Sequence, residues 1–174
     1  MITQNYENFL ACLITSEAKG LLPATRTNGD DVYVAGYVYS TFGQSTTTNF
    51  VTTSGAGIWV GSGNTPATKG DYALENRITS GLSKVGNTTV NVDEDNGNPY
   101  IRMDFILENT SGADITIKEV GYVQTLRYSA SKSGAASTSS TFLIDRTVLE
   151  SPVTIPAGGT GTIRYILKTV VSGS

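Results

Sequence analysis

The chain has 174 residues, with 12 Lys and Arg against 15 Asp and Glu, a net charge of −3, 39% hydrophobic residues and a single cysteine, Cys12. That length suits one domain of ordinary size that buries about 70% of its extended-chain surface without staples, and one cysteine closes no intramolecular disulfide. Nucleic acids are held mainly by Lys and Arg on phosphates; with no basic cluster in the sequence, a nucleic-acid partner is not expected.

No basic residue precedes Lys19, and the apolar run Phe9-Leu-Ala-Cys-Leu-Ile14 is far short of the ~20 residues that span a bilayer. Neither a secretory signal nor a membrane segment is therefore expected. Asn5 to Ser16 instead predicts a short helix with Phe9, Leu10, Leu13 and Ile14 on one side. From Asp31 onward, period-two patterning dominates. Strands are expected at Val32–Tyr39, more weakly at Phe50–Thr53, and at Ile58–Val60. A strand carrying Val90 and Val92 is separated from the next by Asp95-Asn-Gly-Asn-Pro99, and Asn-Gly is among the strongest hairpin signals. In Tyr100 to Glu108, Ile101, Met103, Phe105 and Leu107 face one way, and Arg102, Asp104 and Glu108 the other. After a turn at Asn109–Asp114, the next strand changes face between Ile115/Ile117 and Val120/Tyr122, which predicts a bulge near Glu119 to Gly121. Ser129 to Ser140 reads as a long mobile loop of small polar residues. Phe142–Leu149 reads as a strand, Pro152 and Pro156 belong on an edge or in a turn, and Thr162 to Val171 is a last half-buried strand. The pattern predicts an all-β protein: an antiparallel β-sandwich or jelly roll over 21–174, with a short N-terminal helix or arm over 1–20.

The stretch Gly61 to Glu75, GSGNTPATKGDYALE, raises the question of a phosphate loop. A dinucleotide fingerprint needs glycines at positions one, three and six before a helix. Gly61 and Gly63 comply, but Pro66 stands sixth. A Walker loop ends in Gly-Lys-Ser/Thr, whereas Lys69 precedes Gly70 here. The stretch reads as a sharp turn off the Ile58–Val60 strand, with Tyr72 and Leu74 folding back as plugs. The acids Asp93-Glu-Asp95 fail the calcium-loop spacing, since Asn96 falls at its glycine position and Arg102 at its bidentate glutamate. They read as a solvated hairpin tip.

Catalytic chemistry finds little footing. The chain has no histidine, the usual general base and commonest metal ligand. Cys12 has no nearby cation to lower its pKa and reads as a buried structural thiol. Asp71, Glu75, Asp104 and Asp145 are carboxylates that a glycoside-cleaving acid pair would draw on, yet spacing places no two together, and Asp145-Arg146 reads as an outward charge pair. Trp59 and the tyrosines at 33, 37 and 39 are candidates for a sugar-stacking face, although aromatic residues also suit strands for packing alone. The sequons at Asn87 and Asn109 read as chance matches.

Several stretches taken together, MITQNYENFL, GLLPATRTNGDDVYVAG, WVGSGNTPATKGDYALENRI, ENTSGADITIKEVGYV and FLIDRTVLESPVTIPAGGTGTIRYILK, resemble structural proteins of tailed bacteriophages, particularly small virion proteins of phages from gut bacteria. The resemblance spans most of the chain and rests on turn-and-strand signatures, so it implies a fold and a setting but no catalytic residues. It implies a non-enzymatic virion protein assembled in the host cytoplasm, without cofactor or metal. Its expected partners are copies of itself and neighbouring capsid, neck or tail proteins, with no membrane. The apolar N-terminal residues Tyr6, Phe9, Leu10, Leu13 and Ile14 are the expected docking arm, the competing reading being that they cap their own sandwich. A glycan-binding adhesin module of a fibre or tail is the alternative function.

Overall fold

The structure is a computed structural model and describes residues 1–8, 22–40, 56–95, 98–129 and 137–168. It is all-β and antiparallel, of the sandwich class, with a short helical turn over residues 4–8. The strands are β1 (Leu22–Thr25), β2 (Asp31–Ser40), β3 (Gly57–Gly61), β4 (Leu82–Asp95), β5 (Asn98–Asn109), β6 (Ile115–Ser129), β7 (Ser137–Ile155) and β8 (Thr160–Lys168). The expected strand at Phe50–Thr53 and the rest of the expected helix lie outside the described residues.

Contacts divide the chain into two compact units: Met1–Ser80 with Thr116–Thr154, and Gly81–Ile115 with Ile155–Ser174. The first holds a five-stranded sheet in the order β1-β2-β6-β3, with β7 also paired to β6. Its centre is β6. Ile117 and the whole run from Glu119 to Gln124 are buried, and β3 is buried throughout. A strand covered on both sides loses the alternation of a half-wet strand.

That coverage corrects the expected bulge. The β3–β6 ladder runs unbroken from Gly61↔Glu119 to Gly57↔Val123; the sequence changes face there because both faces are inside. Gly121 serves close packing instead. A Cβ on it would fall 2.8 Å from Leu74 Cδ2 and 2.9 Å from Leu143 Cδ1. Leu74, Leu143, Trp59 and Val123 form one buried cluster at this spot. Another correction concerns the ends of the loop expected over Ser129 to Ser140: Ser129 ends β6 and Ser137–Ser140 begin β7, because small polar side chains do not prevent a backbone from joining a ladder, while 130–136 lie outside the described residues. Pro152 sits within β7, which pairs with β6, and Pro156 opens the turn closed by Gly159 N–H to the Pro156 carbonyl at 2.8 Å.

The second unit holds the three-stranded sheet β4-β5-β8. Asp95 pairs with Asn98, leaving a two-residue connection where the Asn-Gly dipeptide stands. Met103, Phe105, Leu107 and Tyr165 are buried from one face of this sheet, as the alternation in β5 and β8 predicts. Asn109 is fully buried at the end of β5. Its amide Nδ2 donates to the carbonyls of Ala113 (2.8 Å) and Ile155 (2.9 Å), while its Oδ1 accepts from the Ser111 N–H and hydroxyl. A glycan has no access to that nitrogen.

Candidate functional site

The glycine-rich segment after β3 leaves the sheet, passes Pro66 and Asp71, and returns where Ile78 N–H bonds the Val60 carbonyl at 2.9 Å. Leu74 plugs into the core as expected, whereas Tyr72 is 43% exposed and does not. Inside the loop its backbone N–H groups converge on an anion. Gly63 N–H (3.1 Å) and Asn76 N–H (2.8 Å) donate to one oxygen of the Glu119 carboxylate, and Glu75 N–H (3.1 Å) to the other. The loop is thus a cradle of amides, the feature that phosphate loops use. The anion it cradles is the protein's own.

Gly61 and Gly63 are fixed by this arrangement. A Cβ would come within 2.4 Å of Glu119 Oε1 at Gly61 and 2.6 Å at Gly63. Only glycine lets the backbone approach the carboxylate so closely.

Glu119 lies in β6 with no exposed surface, and its charge is balanced by Arg146 of β7, 2% exposed, whose Nε donates to Oε2 at 2.8 Å. The remaining guanidinium nitrogens reach outward, to Asp71 (2.8 Å) and to the Thr65 carbonyl (3.1 Å), with Glu75 at 3.6 Å. Asp71 also accepts from the N–H and hydroxyl of Thr68, and Glu75 from those of Thr65. Burial works to raise the pKa of Asp71, but the Thr68 N–H, Arg146 and the Thr68 hydroxyl outweigh it, and the carboxyl is held below its usual range. The Thr65 hydroxyl and N–H likewise hold Glu75 low. For Arg146, burial pulls the pKa down and the bonds from Asp71 and Glu119 more than restore it. Asp71, Glu75 and Arg146 are each held in the charged form by the bonds they make in the network. A general acid needs the opposite environment, one that raises a carboxyl's pKa.

The structure places the sequence candidates as follows. Of the four dispersed carboxylates, Asp71 and Glu75 meet on one guanidinium. Asp104 lies in the other unit, bonded to Arg164 at 2.7 Å. Asp145 and Arg146 are not an outward pair: both are buried, Asp145 facing the Met1 amino group at 2.9 Å and Arg146 facing Glu119. Consecutive residues of a strand point to opposite faces, and in β7 each of these faces is covered. Asp93, at the expected hairpin tip, pairs with Arg102 at 2.8 Å. Trp59 is 4% exposed, with the Arg77 guanidinium 3.5 Å from its ring centroid, so it presents no ring to a sugar. The side chains of Tyr33, Tyr37 and Tyr39 lie outside the described residues, as do Phe9, Leu10, Cys12, Leu13 and Ile14.

Tyr6 is half-buried on the helical turn. Around it the start of the chain is tied to its own unit. Thr3 N–H donates to the Ile144 carbonyl at 3.0 Å, Asn5 exchanges side-chain bonds with both backbone groups of Thr25, and Lys69 meets Glu7 at 2.6 Å.

Sequence reasoning missed Glu119 and Arg146. Their signal was an ionisable residue in the middle of an apolar strand, Ile115-Thr-Ile-Lys-Glu-Val-Gly-Tyr-Val123 and Phe142-Leu-Ile-Asp-Arg146. Charges so placed must be paired if the strand is covered on both faces. No protein-family model, curated protein or solved structure matches the chain.

Proposed function

We propose that the chain is a non-enzymatic structural subunit of a bacteriophage virion, one that associates with copies of itself and with neighbouring capsid, neck or tail proteins. The observation that carries this reading is the filled cradle. The segment of the sequence most suggestive of chemistry is closed by its own Glu119 carboxylate and spends its amides on holding a loop in shape. Low charge, 16% of residues, suits broad contacts between repeated copies, which commonly close by rotational symmetry. The stretches that resemble small virion proteins supply the setting, assembly in a bacterial host cytoplasm followed by residence in the particle.

Sedimentation velocity with negative-stain imaging of the purified chain tests the reading. The expected result is a discrete, symmetric homo-oligomer whose population rises with concentration. A chain that stays monomeric up to hundreds of micromolar overturns it, as does turnover of a polysaccharide substrate that is lost on Asp71→Asn or Glu75→Gln.

A further inference from the structure

We infer that the outward face of the β4-β5-β8 sheet is the surface through which two copies of this chain pair. Cross-strand register puts Val85 opposite Ile106, Asp104 opposite Arg164, and Arg102 opposite Ile166. Strand alternation places these residues together on the face opposite buried Met103, Phe105 and Leu107. Val85 is 39% exposed, Ile106 42% and Ile166 49%. A solvated sheet face ordinarily carries polar residues, whereas this one exposes aliphatics at two places, Val85 with Ile106 at one and Ile166, opposite Arg102, at the other.

Between these aliphatics runs a ladder of charges, in which Arg102 meets Asp93 at 2.8 Å and Asp104 at 3.3 Å, and Arg164 meets Asp104 at 2.7 Å. Two cations and two carboxylates make this stripe neutral, while the whole chain carries −3. A neutral stripe of alternating sign does not repel its own copy. When turned by a two-fold axis it can set each Arg against the other copy's Asp, with Val85 and Ile106 of one copy near Ile166 of the other. A strongly basic or acidic partner would find no net charge to answer. The complement this face offers is therefore a second copy of itself.

The size of the face sets the strength. Three strands about 4.8 Å apart and about nine residues long present roughly 400 Å² per copy, near 800 Å² in all. That is below a standard interface, so the pairing is weak and depends on concentration, becoming durable where many copies are held side by side. The inference rests on the self-association proposed above and adds to it the surface.

Sedimentation velocity across a concentration series separates the two. The wild-type chain is compared with Ile166→Lys, with Val85→Lys and Ile106→Lys together, and with the charge exchange Asp104→Arg with Arg164→Asp, which keeps an internal pair. Circular dichroism and the urea midpoint establish that each variant is folded. Folded lysine variants with self-association at least tenfold weaker, and a folded charge exchange weakened likewise because it breaks the alternation of sign and sets like charges face to face across the two-fold axis, are the expected results. Wild-type association left unchanged in folded lysine variants overturns the surface and leaves the self-association reading standing. No association by the wild type overturns both. Should the lysine variants not fold, Ile166→Thr, which suits a strand, replaces them with the same two outcomes.

Discussion

The guanidinium of Arg146 lies against the carboxylate of Glu119, Nε to Oε2 at 2.8 Å, with both side chains shut away from water. The consecutive strands β6 and β7 supply them, and a segment far from both in sequence, the loop after β3, wraps its amides around the acid. The pair ties three parts of one unit at a single point. Its energetic worth lies less in attraction than in what is left behind when one partner goes. Isolated buried charges are costly, and removing one member of such a pair typically costs about 3–5 kcal/mol.

Glu119→Ala is accordingly expected to lower stability by about that amount in urea denaturation, since Arg146 and three loop amides lose their acceptor. Arg146→Met should cost a similar amount. The double variant should cost clearly less than the sum, because neither orphan charge remains. Additive losses would show that the two side chains do not act as a unit.

Gly63→Ala adds one methyl where the distance to Glu119 Oε1 would be 2.6 Å. The expected loss is about 1–3 kcal/mol, the range for overpacking a tight site. Combining it with Glu119→Ala should relieve only part of the added strain, because Glu75 Cβ would still lie 2.5 Å away. A thermal melt series of the two single variants and the double variant reads this directly.

Acid should loosen the loop. In the folded state Asp71 and Glu75 sit below the 3.8 and 4.5 usual for their types. A depressed folded pKa gives stability that is present above the unfolded value and lost as pH falls through the folded one. The urea midpoint should therefore be steady at neutral pH and decline below about pH 4. Asp71→Asn should make that decline shallower, while a slope identical to wild type would place the titrating groups elsewhere.

Trp59 is the only tryptophan and reports on this core. Its burial under Arg77 predicts blue-shifted emission that iodide does not quench in the native state, and no change on adding glycans. Arg77→Ala should cost about 0.5–2 kcal/mol through the lost cation–ring contact. An emission maximum that shifts with an oligosaccharide would contradict the buried placement.

Much of the architecture was legible because it is local. Alternation in Tyr100–Glu108 and Thr162–Val171 identified β5 and β8 and named their buried side chains, and Asn96-Gly97 placed the hairpin between β4 and β5. The same rule misled at Glu119–Gly121, where burial on both faces imitated a bulge, and at Ser137–Ser140, where a polar tract joins a strand.

The sequence by itself determined that the chain builds antiparallel strands, and that the Gly61–Glu75 stretch lacks the pattern of a nucleotide loop. Side-chain period and turn chemistry act over a few residues and can be read there. Only the tertiary structure decided what that stretch holds. Glu119 is 56 residues from Gly63, and Arg146 is 27 further on. An amide cradle shows its anion only when distant strands are laid side by side, because charge pairing depends on distance in space and leaves no period along the chain.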